Sequence, residues 1–415
     1  MEVLRALTVR GPFRGPTGYD HHVREFVREL HTQGVAVELQ DLPAWSPAKL
    51  PGHMRDPWFD SLNQPCGAET VLHFCMPHQV IRYPGKVNTN FTMFEASRVH
   101  PNWVKANRQH DSVILPTESS KRAWVDSGFP EHRLRLCPFG VNTALFSGEA
   151  SPLHLEGATA EDHGVRFLNV SEFNSRKNLM GLLEAWILAT SRQDDAILIV
   201  KLGCYKSAAR QRFADQIDLL EQRLNKRLAE AAPIRLVHDF FPDSEMPRLY
   251  AAATHYISMS HGEGWDQPMM EAAASGLKLI APAHSAYLAY LNSSIASLIP
   301  AREAPVLIEG DAATAELFKD AHWWQPDRDS AIQFIRDAIE GRDRDKPSPR
   351  GQIVHDFTWT QATRRLIEIL DEVQSLKAQP IKAVLSSLLA RRSDSIEPVE
   401  QTHSEPGSSS EPDRT

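Results

Sequence analysis

The chain has 415 residues, 42% hydrophobic and 24% charged, a balance suited to a soluble globular protein long enough for two domains with cores of their own. Its formal net charge of -8 argues against a nucleic-acid binder, because neutralising phosphates requires a basic excess on at least one face. No apolar run nears the roughly 20 residues that span a bilayer, the first ten residues carry no secretory pattern, and Cys66, Cys75, Cys137 and Cys204 form no Cys-x-x-Cys pair, so a cytoplasmic, reducing compartment is expected.

Residues 3–9 read as a first strand. The turn-rich Gly11-Pro12-Phe13-Arg14-Gly15-Pro16-Thr17-Gly18 follows, and then Val23, Phe26, Val27 and Leu30 recur at i, i+3, i+4 and i+7, which marks a helix with one apolar face. Apolar runs at residues 35–39, 71–74, 87–93, 112–115 and 133–137 alternate with helical patterns such as residues 119–125. Such alternation implies a parallel sheet covered by helices.

After a Gly/Ala/His-rich stretch at residues 151–164 the pattern restarts. Strands are expected at residues 166–170, 197–201, 234–237, 255–258 and 278–281, with helices at 179–189, 207–230, 244–252 and 267–274. The expected architecture is α/β: two Rossmann-like domains, residues 1–150 and 151–345, facing a central cleft. Thr358 or Thr360 can cap a helix with Ala362, Leu366, Ile369, Leu370, Val373 and Leu376 on one face, so residues 346–392 are expected to return to the first domain. Residues 381–392 have paired leucines and basic ends, and both packing back on the protein and peripheral contact with the inner face of a membrane are open. The Ser/Pro/Glu tail, 393–415, is expected to be disordered.

The most informative stretch is His261-Gly262-Glu263-Gly264-Trp265-Asp266-Gln267-Pro268-Met269-Met270-Glu271, between an expected strand and an expected helix. Its glycines let a backbone approach a ligand closely, and Pro268 suits a first helical turn, where the missing N–H costs nothing. The loop thus delivers a helix N-terminus, whose unpaired N–H groups and positive dipole end suit a diphosphate. Glu263 and Glu271 add carboxylates of different reach for a hydroxyl-rich ligand. A solvated helix start with ordinary acidic residues is the plainer alternative.

Glu263 and Glu271 resemble the Glu-x7-Glu signature of the retaining glycosyltransferases of family 4. Ser171-Glu172-Phe173-Asn174-Ser175-Arg176-Lys177-Asn178-Leu179 is similar to that family's Arg-Lys-Asn turn, and Cys137-Pro138-Phe139-Gly140-Val141-Asn142-Thr143-Ala144-Leu145-Phe146 to its Pro-x-Gly-Val-Asp-x-x-x-Phe interdomain motif. The matches keep the family's order and cover roughly residues 1 to 300. The resemblance implies a GT-B fold whose C-terminal helix crosses back, and hexosyl transfer with retention from a UDP- or GDP-linked sugar, with no metal and no cofactor. Glu271 would hold the donor's ribose hydroxyls and Glu263 a hydroxyl of the donated sugar. Gly262, Gly264, Trp265, Asp266 and Gln267 would face the donor, the last four at its phosphates. Lys177, helped by Arg176, would neutralise charge on the departing β-phosphate, and Gly15 and Gly18 belong to a first-domain loop that closes over donor and acceptor. Retention in such enzymes is discussed as departure and attack on one face, so no side-chain nucleophile is named. The acceptor, whether glycan, lipid, protein or small metabolite, is left open.

The chain departs from the family twice. Many members carry an Arg about six residues before the lysine of the turn, where this sequence has Ser171 or Glu172; Lys201, at the end of the next expected strand, is the candidate replacement. Within Phe91-Thr92-Met93-Phe94-Glu95-Ala96-Ser97 other members place a His, and here the polar residue is Glu95, expected at the sugar or acceptor hydroxyl, although a buried ion pair explains it equally well. His73 and His78 are weaker alternatives for that role; as a metal set with Cys75 they lack a fourth ligand and read as core. Asp327-Arg328-Asp329 and Asp343-Arg344-Asp345 look like an Asp-x-Asp metal motif, yet the first reads as a helix cap and the second as a charged turn. A nicotinamide dehydrogenase is disfavoured, because Gly11, Gly15 and Gly18 give G-x3-G-x2-G rather than G-x-G-x-x-G, with only Asp41 near the end of the second strand. A non-catalytic sugar-nucleotide sensor or scaffold on the same fold stays open.

Overall fold

The computed structural model describes residues 4–42, 45, 49–203, 207–308 and 311–378. Its first sheet holds β1 (Ala6–Arg10), β2 (Ala36–Gln40), β3 (Thr70–Phe74), β4 (Val87–Phe91), β5 (Ser112–Leu115) and β6 (Leu134–Leu136), in the order β2-β1-β3-β4-β5-β6. A second sheet holds β7 (Val165–Glu172), β8 (Ala196–Gly203), β9 (Ile234–Val237), β10 (His255–Ile257), β11 (Lys278–Pro282) and β12 (Ala296–Ile299), in the order β12-β11-β10-β7-β8-β9. Every pairing in both sheets is parallel. The second order is that of a doubly wound sheet, and its direction of growth reverses between β7 and β10. Crossovers leave that point toward opposite faces, which opens a crevice at the carboxyl ends of the two strands.

The strands β3, β4 and β5 of the first sheet are buried along their whole length. Among them β4 reads Val-Asn-Thr-Asn-Phe, and both of its side-chain amide nitrogens donate inside the protein, while Asn90 Oδ1 has no hydrogen-bond partner among the described residues. Asn88 Nδ2 donates to the carbonyls of Tyr83 and Lys86, and Asn90 Nδ2 donates to Asn107 Oδ1 at 2.9 Å. This fixed strand leads directly to the segment that carries Glu95.

Three features differ from the sequence reading. The helix Ser207–Leu224 stops before residue 230, at Asn225 with φ 47. β12 extends the second sheet beyond the expected strands. β13 (Ala301–Pro305) and β14 (His322–Pro326) form an antiparallel hairpin that apolar alternation does not reveal, because Ala-Arg-Glu-Ala-Pro carries none.

The helices Arg350–Asp356 and Trp359–Ala378 follow. Thr358 caps the second of these, its Oγ1 accepting from the Gln361 N–H at 3.1 Å. Trp359 packs against Phe26 and Phe139, and the Val141 N–H donates to the Phe357 carbonyl at 2.9 Å, so the chain does return to the first domain. Gly140 is pressed so closely here that a Cβ would lie 2.3 Å from the Trp359 nitrogen. No side chain fits. An apolar cluster runs from Phe26 and Phe139 through Trp265 to Tyr290 and Leu366, and both sheets belong to one compact unit that ends at Val373. Gln374–Thr415 is a second unit, described only to Ala378 at the helix end. Cys204, the segment 381–392 and the tail after it lie outside the described residues. No described helix is long and apolar enough to cross a membrane.

Candidate functional site

The two loops at the β7–β10 crevice are stitched together before any charge is considered. After β7 the chain turns through Asn174, whose Oδ1 accepts from the Lys177 N–H at 3.0 Å, and reaches Asn178, held at φ 49 as the cap of the helix Leu179–Ala189. Asn178 Nδ2 donates to the Met259 carbonyl at 2.9 Å, and the His261 N–H donates to the Arg176 carbonyl at 2.8 Å. Local turn chemistry after one strand is therefore locked to the loop after the other.

That frame brings Arg176, Lys177 and Glu263 together. Lys177 Nζ lies 2.7 Å from Glu263 Oε1, and Arg176 Nη1 lies 2.8 Å from Glu263 Oε2 and 2.7 Å from the Gly262 carbonyl. The Glu263 side chain is only 4% exposed. Burial pushes its carboxyl up, but the guanidinium and the ammonium outweigh burial and hold it below the usual carboxylate range. Lys177, in turn, is pushed down by burial and more strongly raised by Glu263 and Asp266. All three groups are charged at neutral pH.

Asp266 stands at φ 64 just before the helix Gln267–Ala274. Its Oδ2 accepts from the Tyr287 hydroxyl at 2.7 Å, while Oδ1 faces Lys177 Nζ at 3.6 Å with no hydrogen bond among the described residues. Burial raises this carboxyl. One turn into the helix, Glu271 is likewise buried, with Oε2 accepting from the Tyr250 hydroxyl at 2.8 Å and Oε1 4.0 Å from His21 Nε2. Burial lifts its carboxyl to about 7 against the pull of His21. His21 reaches across from the first domain, and its Nδ1 is 3.8 Å from Asp243 Oδ2.

The first domain closes the other wall. Arg176 Nη2 lies 3.5 Å from Glu95 Oε1, whose carboxyl is raised by burial and lowered in part by Arg176. Tyr19 pins the segment before it, its hydroxyl accepting from the Met93 N–H at 3.0 Å. Glycine is required in the facing loop: a Cβ on Gly262 would lie 2.2 Å from the Glu95 carbonyl oxygen, and one on Gly264 would lie 2.8 Å from the Met93 side chain. The expected close approach is thus made to the first domain, at the Glu95 backbone and the Met93 side chain. The hairpin β13–β14 straps the two sides, because the Ser97 N–H donates to the His322 carbonyl at 2.8 Å, while the Trp324 N–H donates to the His261 carbonyl at 2.8 Å. His261 stacks on Trp323 and His284 on Trp324, with ring centroids 4.9 and 5.1 Å apart.

Other expected residues fall outside this charged cluster. Trp265 is a core residue, 1% exposed among Phe139, Tyr290 and Phe357, so its ring is not a lining of the crevice. Gln267 is buried and donates to the Gly140 carbonyl at 3.1 Å. In the first-domain loop the Gly15 N–H donates to Asp20 Oδ1 at 2.6 Å, an internal carboxylate at the helix start; Gly18 is exposed as the first residue of the helix Gly18–Thr32. Lys201 is buried beside the Phe241 ring, outside the ion pairs around Glu263. His73 packs edge-on to His110, and His78 stacks on Trp103. Asp327 caps a helix through the Ser330 N–H at 2.8 Å, and Asp343 holds His255 and Lys278. Among the described residues, the three-residue set with metal-ligand geometry is His21, Glu25 and Asp243, with ligand atoms within 4.8 Å of one another. Tyr250, Tyr287 and His21 escaped the sequence reading, since each reaches the site from an element with no motif of its own.

The sequence matches no protein-family profile and no curated protein. Solved structures do align over nearly the whole chain. Anabaena HepE in complex with UDP and glucose is 12% identical, over 89% of this chain and 100% of that one, with TM-score 0.57. Sucrose-phosphate synthase from Thermosynechococcus elongatus is 15% identical over 90% of this chain and 100% of that one, with TM-score 0.61. A glycosyltransferase from Rickettsia africae is 14% identical over 89% and 98%, with TM-score 0.60. The chain has the GT-B fold. In this GT-B frame, the crevice at the switch of the second sheet holds the buried charges and faces Glu95 of the first domain.

Removing Glu263 leaves two buried cations short of their main partner. Glu263→Gln is expected to lower the unfolding free energy by about 3–5 kcal/mol, toward the low end because Asp266 and Glu95 remain. Adding Lys177→Met should recover part of the loss. Urea denaturation of the two variants checks both, and a single variant as stable as the parent would contradict the pairing.

Proposed function

We propose that this GT-B protein is a retaining glycosyltransferase of family 4, which moves a hexosyl unit from a UDP- or GDP-linked sugar to an acceptor hydroxyl without a metal or cofactor. The observation that carries the reading is the arrangement of Lys177 and Arg176 around Glu263, beside the start of a helix that bears Glu271 eight residues on. Fixed cations beside a helix N-terminus suit a diphosphate, and they act more strongly in a crevice that excludes water. HepE has been solved with UDP-glucose, which supports a nucleotide sugar as the donor here.

In this reading the diphosphate lies against Lys177 and Arg176, which retain spare donors after serving Glu263. Negative charge grows on the β-phosphate as the bond to the sugar breaks, and the two cations stabilise it. The acceptor hydroxyl attacks from the face the phosphate leaves, and a phosphate oxygen takes its proton. Glu263 accepts from a hydroxyl of the transferred sugar and Glu271 from the ribose. Glu95, on the first-domain wall, orients the acceptor or sugar through its carboxylate. Asp266 tethers Lys177 rather than meeting the phosphate, since two negative groups in contact would repel.

The test is sugar transfer or donor hydrolysis with UDP- and GDP-sugars, read as release of the nucleoside diphosphate. Lys177→Ala is expected to reduce kcat/KM roughly 10²–10³-fold, as loss of one transition-state donor does elsewhere. Donor binding by a folded protein with no turnover on any acceptor would support a sugar-nucleotide sensor instead.

The pH dependence follows from Glu271. Its raised pKa, about 7, means the carboxyl is largely protonated at pH 6 and ionised at pH 8, and the ionised form is the one that accepts from two ribose hydroxyls. Nucleoside-diphosphate affinity is expected to rise about tenfold between those values. Glu271→Gln should bind weakly and lose that part of the slope, the contribution of the ligand's own phosphate being common to both proteins. Calorimetric titration at the two pH values decides it; identical slopes would contradict the role.

A further inference from the structure

A second buried cation stands apart from the Glu263 cluster. Lys201 lies near the carboxyl end of β8, opposite Val170 of β7 and Val237 of β9, and the residue is 9% exposed. Among the described residues no carbonyl, hydroxyl or carboxylate makes a hydrogen bond or ion pair with its ammonium. The contact it does make is with an aromatic face, Nζ lying 5.9 Å from the centroid of Phe241. Burial pushes the ammonium below its usual range, and Asp239 only partly opposes this. The residue is largely buried while its ammonium keeps donors that no described residue accepts, so the position suits a ligand that supplies an acceptor.

The placement says which part of a ligand. Phe241 sits in the loop between β9 and the helix Met246–Ala251, and Tyr250 of that helix holds Glu271. Two residues past Phe241, Asp243 meets His21, which also faces Glu271. From the cations at Glu263 the helix Gln267–Ala274 leads to Glu271, and the contacts of Glu271 lead on to the loop of Phe241 and the ammonium of Lys201. Diphosphate, ribose and base follow one another in a nucleotide in that order.

We propose that Lys201 and Phe241 read the base of the donor nucleotide, Phe241 offering its ring face and Lys201 donating a hydrogen bond to an exocyclic carbonyl of the base. The proposal rests on the reading that the site takes a nucleotide sugar. Uracil presents O4 and guanine O6 as acceptors, whereas cytosine and adenine present amino donors at the corresponding positions. An amino base would cover the ammonium while setting another donor against it, so rejection is strong. Lys201 is thus a specificity residue for keto bases and not a phosphate cation.

Calorimetric titration with UDP, CDP, GDP, ADP and inorganic pyrophosphate tests this on the full chain. The parent protein is expected to prefer the keto member of the pyrimidine or purine pair by about tenfold or more. Lys201→Met, which keeps the length of the stem, should bring that pair within about threefold while pyrophosphate affinity is unchanged. Phe241→Ala should weaken every nucleoside diphosphate and leave pyrophosphate alone, which keeps the test decisive if the Lys201 variant folds poorly. Unaltered base selection in Lys201→Met would overturn the proposal, as would an equal loss for pyrophosphate, which would make Lys201 a phosphate ligand. If no diphosphate binds the parent protein, the nucleotide-sugar reading falls as well.

Discussion

One carboxylate shared by two cations organises this protein's crevice. Glu263 accepts from Lys177 at 2.7 Å and from Arg176 at 2.8 Å in a place where its own side chain is 4% exposed. Burying such charges is expensive, and replacing paired ions by apolar groups of like volume is often neutral or stabilising, so the cluster is poorly explained as a device for stability alone. Its geometry makes sense at a switch point, where two strands diverge and their loops must be tied. Arg176 gives its carbonyl to His261 and its guanidinium to both Gly262 and Glu263. The backbone stitch and the charge pairing reinforce each other.

The same cluster is where the two domains meet. Arg176 also faces Glu95, and the glycines at 262 and 264 let the Glu95 backbone and the Met93 side chain of the first domain come within a distance no Cβ permits. Behind the loop, the β13–β14 hairpin holds Ser97 on one side and His261 on the other. A change in the spacing of the domains must therefore be felt by the side chains that carry the charge. Phe139, Trp265 and Trp359 add an apolar contact, continuous with the core of both sheets.

Much of this was legible in the sequence, for identifiable reasons. Strand–helix alternation gave both sheets nearly strand for strand, since buried parallel strands are short apolar runs between helical patterns. Glu263 and Glu271 stand out because a glycine loop and a helix start fix their positions locally, and Arg176 and Lys177 through the resemblance of their turn to a glycosyltransferase Arg-Lys-Asn motif. Partners from distant elements leave no such trace: Tyr250 and Tyr287 hold Glu271 and Asp266 from helices with no motif. Spacing also does not reveal direction. Trp265 shares the loop of residues 262–267 yet points into the core, and the freedom of Gly262 and Gly264 serves domain contact. The hairpin at 301–326 was illegible because its strands are held by cross-strand and aromatic contacts rather than by alternation.

The most direct measurement is a crystal structure of the protein with UDP or GDP bound. The terminal phosphate is expected within hydrogen-bond distance of Lys177 Nζ and Arg176, at the loop of residues 262–267, with the ribose hydroxyls on Glu271. A nucleotide bound elsewhere, with the Glu263 pairings undisturbed, would contradict it.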